Sequence, residues 1–129
     1  MKESFKNRAI ENLEAAELLF ENGKYNASAN RAYYAAFHLA IYMLYKIDIV
    51  PTIDHKTIQA LFSDYYFNRR KVLPSNYKRY LSELQMIRNT ADYYDGILKK
   101  QASKQLKMTK EFFEVLGETK WLTINKNNW

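Results

Sequence analysis

The chain has 129 residues, enough for one compact domain that buries about two-thirds of its unfolded surface without a metal or disulfide to hold it. Hydrophobic residues make up 47% and aromatics 16%, which excludes a disordered protein, while 3 Gly and 2 Pro speak against turn-rich sandwiches and barrels. The absence of Cys removes disulfide scaffolds, thiol nucleophiles and thiolate metal sites together and fits a reducing cytoplasm.

Lys and Arg number 20 against 14 Asp and Glu, a formal charge of +6, which favours an anionic partner, nucleic acid first. Five glutamates (Glu3, Glu11, Glu14, Glu17, Glu21) interrupt the start of the chain, leaving no apolar core for a signal peptide. The most apolar stretch, residues 32–45, is broken by His38 and falls short of the ~20 residues that a membrane span needs. A soluble, cytoplasmic protein with no membrane contact is expected.

Ser4 has the character of an N-cap, and Phe5, Ala9, Leu13, Ala16 and Phe20 follow at helical spacing. The pattern predicts a first helix over about 4–21, stopped by Gly23. A second helix is predicted over about 26–46; being apolar on more than one face, it should be the central one. Residues 47–54, with Pro51, form a loop, and Asp54 can cap a third helix over about 55–69 that buries Ile58, Leu61, Phe62 and Tyr65 or Tyr66. Arg69, Arg70 and Lys71 end it, where cations suit the negative pole.

Pro74-Ser75 re-caps the chain for a fourth helix over about 76–92, with Tyr77, Tyr80, Leu81, Leu84 and Ile87 inward. Gly96 lies in a bend, and a fifth helix runs over about 102–116 with Leu106, Met108 or Thr109, Phe112, Phe113 and Leu116 inward, ended by Gly117. Residues 119–129, with Trp121 and Trp129, form a tail to a single domain over 1–118. The fold class is an all-α, up-down bundle of four to five helices.

No GxGxxG or P-loop occurs, and the two histidines, His38 and His55, lack the spacing of a zinc pair. Each is first a buried, hydrogen-bonded structural histidine; no metal and no cofactor are expected. Two segments depart from generic helix text. In residues 30–38, Asn-Arg-Ala-Tyr-Tyr-Ala-Ala-Phe-His, the side chains of Arg31, Tyr34, Ala35 and His38 share one helix stripe, and a guanidinium there needs an acceptor. In residues 88–95, Arg88 and Asp92 stand one turn apart, suited to an ion pair or to a polar cluster shared with Arg31.

These segments resemble the HEPN family, in particular the branch with an early Gly-x-Tyr and Asn-Arg-Ala-Tyr-Tyr-Ala…His signature and a late Arg-x-x-Ala-Asp-Tyr. Here they read Gly23-Lys24-Tyr25, Asn30-Arg31-Ala32-Tyr33-Tyr34-Ala35-Ala36-Phe37-His38 and Arg88-Asn89-Thr90-Ala91-Asp92-Tyr93. His55, opening the third helix, fits the layout too, and the resemblance covers about residues 5–117. It implies a helical bundle that forms a homodimer through its second and fourth helices, often beside a minimal nucleotidyltransferase partner in a toxin-antitoxin setting. Many such domains cleave RNA with an Arg-x(4–6)-His motif.

Arg88 matches the arginine of that motif, but Tyr93, Tyr94 and Asp95 occupy the positions where its histidine should fall. A tyrosine, titrating near ~10, is a poor base at neutral pH. The resemblance therefore implies a non-catalytic module that binds RNA or nucleotide. The alternatives are a ribonuclease toxin using Arg88 with Tyr93, His38 or His55, and a plain helical interaction protein. The candidate binding residues are Arg31, His38, Arg88, Asp92 and Tyr93, with the basic run of Arg69, Arg70, Lys71, Lys78 and Arg79, where Tyr66, Tyr77 and Tyr80 offer rings for bases.

Overall fold

The structure, a computed structural model, describes residues 2–69, 73, 75–93 and 96–117. Arg70, Lys71, Tyr94, Asp95, the tail 119–129 and the side chain of Tyr93 lie outside the described part. Five α-helices follow in order: α1 (Lys2–Glu21), α2 (Tyr25–Lys46), α3 (His55–Ser63), α4 (Tyr80–Tyr93) and α5 (Lys99–Val115). Among the described residues there is no strand, so the all-α expectation stands. No described helix is long and apolar enough to cross a membrane.

The central helix is α2, as its two-faced apolar pattern requires: it packs against α1, α3, α4 and α5. Thirteen of its residues are buried, so most of its circumference is core. The chain reverses between α1 and α2 at Gly23, whose φ of 75° lies in the left-handed region that glycine enters without steric cost. Ala9, Leu13 and Ala16 of α1 are fully buried; the two alanines let the two backbones approach. The buried Ser28 hydroxyl uses that proximity to donate to the Ala16 carbonyl at 2.7 Å.

Polar ties then dock α5. The Gln105 amide, fully buried, donates to the carbonyls of Ala29 in α2 (3.2 Å) and Leu84 in α4 (2.8 Å). The Thr109 hydroxyl, one turn on, lies 3.2 Å from the carbonyl of Ala32. Lys110 pairs with Glu17 of α1 at 2.9 Å, both side chains largely buried. Around these contacts Phe62, Leu84, Phe112 and Phe113 fill the core.

The element boundaries differ from the sequence expectation in four places. Helix α1 starts at Lys2, so Ser4 lies inside the first turn and is not its N-cap. Helix α3 ends at Ser63, and residues Asp64–Arg69 form a π-helical turn. There Tyr66 and Phe67 are both buried, and the Tyr66 hydroxyl donates to the Met43 carbonyl at 2.6 Å.

The predicted fourth helix divides into a 3-10 turn, Ser75–Tyr77, and α4 from Tyr80; Leu81, Leu84 and Ala91 are its buried residues, while Tyr77, Tyr80 and Ile87 are half-buried. Helix α5 begins three residues early because Gln101 reaches back to accept from the Leu98 N–H at 2.9 Å, a capping device that satisfies a donor no helical carbonyl can reach. Elsewhere the expectation matches: Asp54 caps α3, accepting from the Thr57 N–H at 2.8 Å, and that bond holds its carboxyl below the usual range.

Candidate functional site

The early motif places Arg31 on the edge of α2, half-buried, where the guanidinium must find acceptors. It finds them on its own helix and on α1. Its Nε and one terminal nitrogen donate to the Asn30 side-chain oxygen, and the other terminal nitrogen donates to Asn12 Oδ1 at 3.0 Å. Three of the five N–H groups that an arginine carries are thereby engaged. The face of the guanidinium lies 5.1 Å from the ring centre of Tyr34, a favourable cation–π placement.

The late motif brings Arg88 to the same ring from α4. Its guanidinium carbon is 5.4 Å from the Tyr34 ring centre, and a terminal nitrogen donates to the Tyr34 hydroxyl at 3.2 Å. The expected ion pair is present: Arg88 Nε meets Asp92 at 2.9 Å. The same carboxylate oxygen accepts from Asn30 Nδ2 at 2.8 Å. Asn30 therefore bridges the two arginine systems, one face of its amide on Arg31 and the other on Asp92. The two signature segments, far apart in sequence, form one cluster centred on Tyr34.

Both histidines join this cluster. Asn12 Nδ2 lies 3.2 Å from His38 Nδ1 and donates to the Arg8 carbonyl at 2.9 Å, while Asn12 Oδ1 already accepts from Arg31. The amide orientation is therefore fixed, and His38 Nδ1 must be the acceptor. Burial, with the nearby charges of Arg8 and Arg31, pushes the His38 imidazole down to about 4. At neutral pH it is uncharged and carries its proton on Nε2.

His55, first residue of α3, sits 6.0 Å from Tyr34 and 4.8 Å from Phe37, ring centre to ring centre. Its Nδ1 is 2.6 Å from the hydroxyl of Tyr33, a fully buried phenol. Burial pushes the pKa of this phenol up to about 12. Tyr33 thus keeps its proton and can donate it to His55 Nδ1. Burial and then the charge of Arg88 lower the His55 pKa, against a smaller opposing effect of Asp54. His55 too is neutral, and it carries its proton on Nε2 when Tyr33 donates to Nδ1.

Among the described residues the site is rich in donors. Arg31, Arg88, His38 and His55 gather around Tyr34, and the Asp92 carboxylate in their midst is bonded to Arg88 and Asn30. Such a group suits phosphate or carboxylate oxygens. Among the described residues no three His, Cys, Asp or Glu side chains gather into a metal-holding group.

Of the basic run, Arg69, Lys78 and Arg79 lie among the described residues. Arg69 is tied to Asp64 at 2.8 Å and lies 4.7 Å over Tyr65. Lys78 donates to Asn68 Oδ1 at 2.8 Å and, with Arg79 and Tyr77, borders a cavity between α3 and the start of α4. Tyr80 packs edge to face against Tyr77, 4.8 Å between ring centres, and donates to Glu111 at 2.9 Å, and Tyr66 is buried. Sequence reasoning missed Asn12, Tyr33 and Gln59 as parts of the site. Asn12 had a signal, since it borders the Ala9–Leu13–Ala16 stripe; Tyr33 and Gln59 had none beyond their helix positions.

The fold and this cluster define the class. The HEPN domain family model matches residues 3–120, and the chain belongs to that family. A relative from Methanocaldococcus jannaschii, named Putative toxin MJ0605, is 36% identical over 85 residues. The match covers 66% of this chain and 62% of the relative, so the chain spans less than two-thirds of the length of the curated relative it matches.

Proposed function

We propose that this chain is a non-catalytic HEPN module of the toxin class that holds the phosphate backbone of RNA, or the phosphate of a nucleotide, at the Arg31–Tyr34–Arg88 cluster. The observation that carries this reading is the gathering of donors: two guanidinium groups share one tyrosine ring, with the rings of His38 and His55 beside it. Donors aimed at one spot bind an anion; cleavage of RNA also needs a group that removes the 2′-hydroxyl proton. The absent motif histidine at positions 93–95 points the same way.

The module works as a homodimer with α2 and α4 at the contact and with a minimal nucleotidyltransferase as partner, in a cytoplasmic toxin-antitoxin setting. The family resemblance supports these points, and the polar cluster lies on those two helices. The test is a single-stranded RNA pool incubated with pure protein and resolved on a gel, alongside light scattering at tens of micromolar. Intact RNA that migrates with a dimer agrees with the proposal. Cleavage that disappears in Arg88→Ala would replace the binding module by a ribonuclease, and a monomer would remove the dimer.

A further inference from the structure

Helices α3 and α4 both rest on α2, and side chains span the space between them in an antiparallel register. His55 and Arg88 meet the Tyr34 ring at one end. One turn along, Gln59 donates to Gln85 at 2.6 Å. One turn further, Ser63 and Ser82 face a common cavity of about 360 Å³. The seam thus runs from the donor cluster to that cavity over about 12 Å, the rise of eight helical residues.

The walls of the cavity differ by depth. Its floor is apolar: Phe62, Leu81 and Phe112 are all nearly fully buried. Its rim is polar and cationic, with Gln59 and the half-buried ring of Tyr77 at the sides and the exposed Lys78 and Arg79 at the mouth. The volume falls in the range of small-molecule sites, which pair an apolar body with a few placed polar groups. A nucleotide has that same division, a flat ring beside a phosphate.

We propose that this cavity is a nucleotide pocket that takes one unit of a single-stranded RNA whose backbone passes the Arg88 end of the seam. The base lies over the apolar floor beside Tyr77, where stacking and burial hold it. Gln59 and the two serine hydroxyls meet the base edge, and Lys78 and Arg79 meet the phosphate. The pocket rests on the reading of the cluster as an RNA site, and the two fail separately.

The probes are the four mononucleoside monophosphates and a labelled single-stranded RNA of ten nucleotides. The variants are Ala60→Trp, which fills the cavity from an exposed helix position, and Arg79→Glu, which reverses charge at the mouth. At least one monophosphate should bind, and each variant should weaken that binding tenfold or more. Ala60→Trp should weaken the RNA about tenfold while circular dichroism is unchanged. Monophosphate affinity unaltered by both variants, or none of the four binding at millimolar concentration, overturns the pocket. RNA binding that is lost in Arg88→Ala yet untouched by Ala60→Trp also overturns it and leaves the cluster standing. Monophosphate binding that both variants abolish, with no RNA binding by the wild type, keeps the pocket as a free-nucleotide site and removes the RNA reading.

Discussion

The phenol of Tyr33 and the imidazole of His55 share a 2.6 Å hydrogen bond across the α2–α3 contact, and this bond decides what the histidine can do. When the phenol, whose pKa burial pushes up to about 12, donates to Nδ1, His55 presents Nε2–H outward, a donor rather than a base. Nitrogen-15 correlation spectra at pH 7 should show both His38 and His55 as neutral Nε2–H tautomers. A His55 protonated on Nδ1 instead would free its Nε2 lone pair and place a base near Tyr34 and Arg88.

Stability should fall in acid because of His38. Its folded-state value of about 4 lies below the ordinary 6.5, so between those values the unfolded chain binds a proton that the folded chain refuses. Stability from this group is complete above pH 6.5, declines as pH drops through that window, and levels off near 4. The half-buried position screens the effect to on the order of 1–2 kcal/mol. Urea unfolding of wild type and His38→Gln at pH 7 and pH 4.5 checks it: the gap in stability between the two pH values should narrow in the variant. An equal gap in both proteins contradicts the assignment.

Gln105 ties α5 to both α2 and α4 from a fully buried position. Gln105→Ala removes these bonds and leaves a cavity, costing about 2–3 kcal/mol. Gln105→Met keeps most of the volume, and the two carbonyls can retain their helical partners, so its cost should stay near ~1 kcal/mol. Equal losses in thermal or denaturant unfolding would mean that the hydrogen bonds, rather than the filled space, dominate.

RNA binding at the arginine cluster should weaken as salt rises, because each phosphate neutralised releases counterions. In a titration from about 50 to 200 mM salt, the slope of log affinity against log salt should be shallower by roughly one unit in Arg31→Ala than in wild type. An unchanged slope would place the phosphate contacts elsewhere.

Most of the architecture was legible because burial writes itself as periodicity. The α1 stripe, the all-round apolar α2 and the α5 stripe each matched their helices, and Gly23 and Asp54 acted as the stop and the cap that their chemistry suggests. The π-helical turn at Asp64–Arg69 and the early start of α5 at Lys99 were not, since both depend on single side-chain bonds, Tyr66 to Met43 and Gln101 to Leu98. The pairing of Arg88 with Asp92 followed from helical spacing alone. The meeting of Arg31 and Arg88 on Tyr34, and the arrival of His55 beside them, required the packing of α3 and α4 on α2, which no local pattern encodes. Tyr77 and Tyr80 stay in contact, their rings edge to face at 4.8 Å, although a 3-10 turn divides the single helix that the spacing predicts through them.

The most direct test of the account combines binding and cleavage in one tube: fluorescence anisotropy of a labelled single-stranded RNA with wild type and Arg88→Ala, followed by a gel of the same samples. The account predicts saturable binding by wild type, at least tenfold weaker binding by a folded Arg88→Ala, and full-length RNA in both lanes. Equal affinity in the two proteins, or RNA fragments in the wild-type lane alone, would contradict it.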